Sequence, residues 1–299
     1  MIEYLIGVDG GGTGTRIRLA RLAPSGGVEL ASASGGPSGL SLGIEAAWKS
    51  IGEAVAKAFA AIGIAHVPIS SSAIGLGMAG VHNKQWAAQF AAANPGYPAF
   101  ALENDGYTTL IGAHQGQPGT IVAIGTGSVG QALLPGGEQR EVGGWGFPTG
   151  DEAGGGWMGL RAISHIEKVL DGRAPNSAFA QAVIDACGGN RDAVQVWVGH
   201  ATQTRFASLA PLVVEHGPGD AVAQAILADA GREAALIAEA LDPSGQLPMA
   251  LCGGLGAVLR PYLPPALLAR SVVPHGDSAS GALRMIELHL KLEQQPKRG

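Results

Sequence analysis

With 299 residues, 46% of them hydrophobic and only 14% charged, the chain is long enough for two domains with a sizeable core and too apolar to be disordered. A net charge of −5, with no stretch rich in lysine or arginine, excludes the basic footprint of a nucleic-acid binder. No apolar run approaches the ~18 residues of a membrane span, no basic-then-apolar leader opens the chain, and Cys187 and Cys252 stand too far apart for a zinc or disulfide framework, so a soluble cytoplasmic protein is expected.

The first apolar run, Tyr4 to Val8, enters Asp9-Gly10-Gly11-Gly12-Thr13-Gly14 and leaves with near-alternating residues to Leu19, the pattern of strand, tight turn, strand. Glycines serve where the backbone takes positive φ or approaches a ligand, and successive N–H groups in such a turn form a concave anion site. A phosphate chain is the obvious occupant, on Gly11, Gly12 and the Thr13 hydroxyl. Asp9 would repel phosphate but can hold the Mg²⁺ that accompanies nucleotide phosphates, or its waters. A P-loop needs Lys-Ser/Thr and then a helix, and a dinucleotide fingerprint opens a helix; here Thr15-Arg16 leads into a strand, which excludes both. The remaining alternative is a glycine-rich hairpin with no ligand.

Pro24-Ser25-Gly26-Gly27 then turns the chain into a third strand, Val28 to Ala33. A helix is expected from Ser41 to Ile62, with Ile44, Ala47, Ile51, Val55, Ala58 and Phe59 on one stripe. Gly39-Leu40-Ser41-Leu42-Gly43 matches a hydrolase nucleophile elbow, but no buried strand precedes it, and Ser41 reads instead as the helix N-cap. Ser70 to Met78 reads as a strand, Lys84 to Ala93 as a helix and Ala99 to Glu103 as a strand. Asp105 follows at the end of that strand. A loop carboxylate there can accept a hydroxyl proton, yet Asn104-Asp105-Gly106 is equally an ordinary turn in which Asp105 caps the next helix.

The grammar then repeats. Thr120 to Ile124 runs into Gly125-Thr126-Gly127-Ser128, continues as Val129 to Leu134, turns at Pro135-Gly136-Gly137 and enters a strand at Gln139 to Val142, an internal duplication of a two-hairpin unit. Gly125 to Gly130 also fits Gly-x-Gly-x-x-Gly, but the Pro-Gly-Gly turn stops any helix. A glycine-rich passage from Gly143 opens a helix to about Leu170, the chain stays mainly helical to Leu241, and Met249 to Cys252 is a strand leading into Gly253-Gly254. Asp277-Ser278-Ala279-Ser280 opens a last helix, and the tail from Gln294 is expected to be disordered.

Paired phosphate-type hairpins of this kind resemble the sugar kinase, actin and heat-shock chaperone ATPase superfamily. The run Gly143-Gly144-Trp145-Gly146-Phe147-Pro148-Thr149-Gly150-Asp151-Glu152 is similar to the signature of its N-acetylglucosamine and glucosamine kinases. The resemblance spans essentially the whole chain and implies an α/β fold of two duplicated ribonuclease H-like (actin-like ATPase) domains around a nucleotide cleft. Residues 1–112 would form the first, with the last helix (284–293) as a piece that could complete it, and residues 113–283 the second, with a helical insertion.

By the same resemblance the chain phosphorylates N-acetylglucosamine or glucosamine at its 6-hydroxyl with ATP and Mg²⁺, and Asp105 is the general base. Thr126 and Gly127 would hold phosphate from the second domain, and Gly253, Gly254 and Ser280 would contact the nucleotide. Ser38, Gly39, Asn104, Asp105, Gly144, Trp145, Gly146 and Asp151 would surround the sugar. Asp151 and Glu152 are alternatively N-terminal charges favouring a helix dipole, and Trp145 a core residue. Gly39 stands where many relatives carry an asparagine and Ala153 where glycine is commoner, which opens the identity of the sugar's 2-substituent. A homodimer is a family-level expectation. Two other readings are an ATPase activator of the benzoyl-CoA reductase and dehydratase branch, which would need clustered cysteines for an iron–sulfur site, and a regulatory sugar-binding module.

Overall fold

The computed structural model describes residues 1–24 and 26–293, and the chain forms two compact units. One comprises residues 1–117 together with the segment that begins at Pro274; the other runs from Pro118 to Val273. The tail from Gln294 lies outside the described residues.

The first unit is built on strands β1 (Tyr4–Gly10), β2 (Thr15–Ala23) and β3 (Gly26–Gly35), helix α1 (Ile44–Ala61), strand β4 (Ser72–Met78), helix α2 (Lys84–Ala92), strand β5 (Ala99–Glu103) and helix α3 (Asp105–His114). Its sheet has the order β3-β2-β1-β4-β5, with β1, β2 and β3 antiparallel and β1, β4 and β5 parallel. The two-residue period of a strand sorts β1 between two cores. Tyr4, Ile6 and Val8 join the core under α1 and α2, where Trp48 stacks on Phe90 with centroids 4.3 Å apart. Leu5, Gly7 and Asp9 take the opposite face. Asp9 is therefore delivered by strand geometry to the side where the chain's last helix packs.

The second unit repeats the plan. Strands β6 (Gly119–Ile124), β7 (Ser128–Leu133) and β8 (Gln139–Gly143) lead into helices α4 (Gly155–Leu170), α5 (Ala178–Ala186), α6 (Arg191–Gly199), α7 (Gln203–Ala207), α8 (Ala210–His216) and α9 (Ala221–Leu241). Strand β9 (Met249–Cys252), short helices α10 (Gly256–Leu259) and α11 (Pro265–Ala269) and the two-residue β10 (Ser271–Val272) close it. The sheet order is β8-β7-β6-β9-β10, the first unit's order with equivalent strands, so the duplication read in the sequence is a duplication of topology. Its core gathers Phe179, Val183, Leu227 and Ile237 from the helices against Val122 and Ile124 of the sheet.

The chain then returns to the first unit as α12 (Ser278–Glu293), which lies on α3, β1 and β4. Its backbone comes so near that a Cβ on Gly7 or Gly75 would overlap the carbonyl oxygens of Ala279 and Ala282.

One expectation is corrected. Ser41 does not cap α1: residues 40–42 form a single 3₁₀ turn, Gly43 has φ of 107°, and the helix begins only at Ile44. Leu40 is the cause, since its side chain is buried and its N–H donates to the Ala79 carbonyl at 2.9 Å, which holds the turn away from the helix axis.

Candidate active site

In the first unit the β1–β2 hairpin closes with the Gly11 N–H donating to the Gly14 carbonyl at 3.0 Å, leaving Gly12 and Thr13 exposed at the tip. Neither Gly11 nor Gly12 has positive φ, so of the two reasons for glycine only close approach applies. Nothing lies within 4 Å of where a Cβ on Gly12 would sit. The loop that follows β3 supports the hairpin: the N–H groups of Ser38 and Gly39 both donate to the Gly11 carbonyl at 3.0 Å. Ser38, expected at the sugar, has no exposed surface, and its hydroxyl accepts a hydrogen bond from Thr15 at 2.7 Å. Gly39 is also buried, with its Cα side against Gly12.

Asn104 caps α3, its side-chain oxygen accepting from the Tyr107 N–H at 2.7 Å. Asp105, the first helical residue, is thereby released from the capping role that the sequence left open. Its carboxylate accepts from the Gly106 N–H at 3.1 Å. Asp9 and Asp105 interact electrostatically, with Asp277 as a third carboxylate nearby. Burial pushes the Asp9 carboxyl above its ordinary range and its two anionic neighbours push the same way, opposed by a hydrogen bond from Ser278 and by Arg16 at 3.7 Å. A buried carboxylate among like charges favours a cation beside it.

Ser278 ties this cluster together. Its hydroxyl lies 2.8 Å from that of Thr108 on α3. Asp277 caps α12, accepting from the Ser280 N–H at 2.9 Å and the Ser280 hydroxyl at 2.7 Å, and Arg18 grips its carboxylate with two hydrogen bonds of 3.0 Å. Burial raises the Asp277 carboxyl, but the bonds from Arg18 and Ser280 outweigh it and bring it down to about 2. Ser280, expected at the nucleotide, thus has its hydroxyl engaged within α12. Arg18, Thr108 and Ser278 were not singled out as site residues in the sequence, since a charge or hydroxyl in a strand or helix carries no local signature.

In the second unit the β6–β7 hairpin closes with the Gly125 N–H donating to the Gly127 carbonyl at 2.8 Å. The entry to α4 is locked onto it. The N–H groups of Gly155 and Gly156 donate to the carbonyls of Gly125 and Thr126 at 2.8 and 2.9 Å, and the Ser128 hydroxyl donates to the Glu152 carbonyl at 2.5 Å. The Asp151 carboxylate accepts from the Ser128 N–H at 3.2 Å and from the Gln203 amide at 2.5 Å. It lies so close over Gly127 that any Cβ there would stand 2.5–2.7 Å from its atoms. Asp151 is therefore an anchor of the hairpin and not merely a helix-dipole charge. Asp151 and the fully buried Ala153 both have left-handed backbone, φ of 60° and 67°. Gln203 carries no local signature that would mark it as a site residue.

Trp145 is 86% exposed, which excludes the core alternative. Gly144 and Gly146 flank it with φ of 70° and 85°, and Gly144 packs on Val129 beside the hairpin. Gly253 has φ of 80° and crosses the end of β6 so closely that a Cβ would overlap the Ile124 carbonyl; Gly254 is exposed with open space above it. The hairpin, the Gly253–Gly254 loop and Asp151 are thus neighbours.

Two duplicated α/β units, each with an antiparallel hairpin whose glycine-rich tip is braced from below, define an ATPase of the ribonuclease H-like, actin-like class. The chain belongs to the BadF/BadG/BcrA/BcrD ATPase family, whose model matches residues 6–255. It is 31% identical over 284 residues to the glucosamine kinase of Vibrio cholerae, covering 94% of this chain and 95% of that protein. It is 26% identical over 246 residues to the N-acetylmuramic acid/N-acetylglucosamine kinase of Clostridium acetobutylicum, covering 80% and 79% of the two chains. A solved structure from Chromobacterium violaceum, provisionally described as an N-acetylglucosamine kinase, superposes with a TM-score of 0.91 at 53% identity over 95% of this chain and 99% of that one.

Proposed function

We propose that the protein is an ATP-dependent kinase of an amino sugar, transferring the γ-phosphoryl group to the 6-hydroxyl of glucosamine or N-acetylglucosamine. The observation that carries this reading is Asp105: a carboxylate at the first turn of α3, relieved of capping by Asn104 and grouped with Asp9. Asp105 accepts the proton of the 6-hydroxyl as its oxygen bonds to the γ-phosphorus, and the bond to the bridging oxygen breaks to release ADP. The tips at Gly11–Thr13 and Thr126–Gly127 present backbone N–H groups and a hydroxyl to phosphate oxygens, and the exposed Gly254 leaves room for adenosine.

Among the described residues no three His, Cys, Asp or Glu side chains form a metal cage. A hydrated Mg²⁺ carried by the nucleotide phosphates and held at Asp9 fits the donor set, because Mg²⁺ keeps several waters and takes one or two carboxylates. When bound it neutralises the charge on the phosphate oxygens. Gly39 and Asn104 border the reacting hydroxyl, Asp151 accepts from another sugar hydroxyl, and Trp145 offers an apolar face to the ring. Gly39 carries no side chain and a Cβ there would already stand 3.3 Å from the Gly12 nitrogen, so no side-chain amide reaches out from this position and the 2-substituent is read by fewer protein groups.

The activator reading is less supported. Both cysteines are buried, and burial pushes their thiols up to about 11 for Cys187 and about 12 for Cys252, so neither offers the exposed thiolate that a cluster needs. The test is Mg²⁺-dependent ADP release with no sugar and then with glucosamine, N-acetylglucosamine, glucose and mannose in turn. Stimulation by an amino sugar alone is expected; equal ATPase activity with and without every sugar overturns the kinase reading.

A further inference from the structure

Gln203 opens α7, far from Asp151 in the chain, yet its amide is the donor that fixes the second carboxylate oxygen of Asp151. The placement is built. The first turns of α4 carry glycine where α7 crosses: a Cβ on Gly156 would stand 3.0 Å from the Gln203 Cγ, and one on Gly159 would overlap the Phe206 carbonyl. Asp151 itself has left-handed backbone, with φ of 60°, which is costly for a non-glycine residue and persists only where the surroundings over-determine it. Those surroundings are the Ser128 N–H on one carboxylate oxygen and Gln203 on the other. A carboxylate has about four acceptor sites, so two remain for a ligand, and 8% of the residue is still exposed.

We propose that Gln203 is a positioning residue: by holding the Asp151 carboxylate against the Thr126–Ser128 hairpin it makes sugar binding and phosphate binding in this unit a single event. The inference rests on the sugar-kinase reading and gives Asp151 two tasks, accepting a sugar hydroxyl and bracing the hairpin. A sugar that engages Asp151 thereby sets the hairpin for phosphate, and phosphate on the hairpin sets Asp151 for the sugar. Such coupling is reciprocal, and typical values are about 5–150-fold in affinity.

The test measures dissociation constants of Mg·ADP with and without saturating amino sugar by calorimetry, alongside sugar-stimulated ADP release. The wild type is expected to bind nucleotide more tightly with sugar present. Gln203→Met keeps the volume and removes the donor: it should fold, bind nucleotide alone within about 3-fold of wild type, and lose most of the sugar enhancement. Gln203→Lys restores a donor and should restore the enhancement; should Gln203→Met not fold, Gln203→Leu, also without a donor, carries the same expectation. An undiminished enhancement in the donor-free variant overturns the inference, as does absence of enhancement in the wild type, while sugar-stimulated ADP release leaves the kinase reading standing in both cases. Absence of any sugar stimulation in the wild type overturns the kinase reading and the inference with it.

Discussion

Gly281→Ala tests the crossing of α12 over α3, on which Ser278, Thr108 and Asp105 are aligned. The added methyl would overlap the Thr108 carbonyl oxygen and stand 2.6 Å from the Gly112 nitrogen and 2.8 Å from the Thr108 carbonyl carbon. All three atoms are backbone, so none can rotate aside. Ordinary contact begins at about 3.4 Å, so relieving the Gly112 nitrogen alone requires α3 to retreat by roughly 0.8 Å and relieving the overlapped Thr108 oxygen requires more, which also stretches the 2.8 Å pair between Thr108 and Ser278. Overpacking of this kind costs about 3 kcal/mol, the upper end of its usual range, and the better helix preference of alanine returns about 1. The net loss of about 2 kcal/mol corresponds to a melting temperature lower by roughly 4–8 °C. Gly52→Ala is the matched control: Gly52 lies on the exposed face of α1 with nothing within 4 Å of the new methyl, so the same substitution should raise stability by up to about 1 kcal/mol. Calorimetric melts of both variants decide the matter. A Gly281→Ala protein that melts at or above the wild type would refute the close crossing.

Asp105→Asn should retain Mg·ATP binding and lower kcat by roughly 10²–10⁴, as removal of a general base does; undiminished turnover would remove Asp105 from the mechanism. Trp145→Ala should leave the melting temperature unchanged, because the ring is 86% exposed, while raising the sugar KM; an unchanged KM would separate Trp145 from the sugar. Asp277 supplies a pH dependence. Its carboxyl is brought down to about 2 against an unfolded value near 3.9, so it stabilises the fold above about pH 4 and the contribution fades as pH falls toward 2. In urea melts Asp277→Asn should therefore be weaker than wild type at pH 6, and the difference should shrink at pH 3; a constant difference would exclude ionic pairing with Arg18 as its source.

Relatives named as kinases of glucosamine and of N-acetylmuramic acid and N-acetylglucosamine share most of this chain. The panel of sugars is accordingly the experiment on which substrate choice turns. If Gly39 borders the sugar as proposed, an asparagine there would project its amide from a buried backbone whose Cβ already lies 3.3 Å from the Gly12 nitrogen.

Periodicity and glycine placement determined most of the fold by themselves. The alternation from Tyr4 to Leu19, the apolar stripe of α1 and the repeat beginning at Thr120 are local patterns, and each produced its element because the buried face of a strand or helix must be apolar at its own period. The tips at Gly11–Thr13 and Thr126–Gly127 and the carboxylate after β5 were legible for the same reason, whereas the cap of α3, which the sequence offered to Asp105, fell to Asn104. Tertiary structure decided which partners those groups meet. That Ser38 faces Thr15, that Gln203 clasps Asp151 and that Ser278 reaches Asp9 depend on segments 23 to 269 residues apart, and no local pattern encodes such meetings. Even the glycines divide this way: Gly253 and Gly281 are glycine because another backbone passes where a Cβ would be, which only the packed chain reveals.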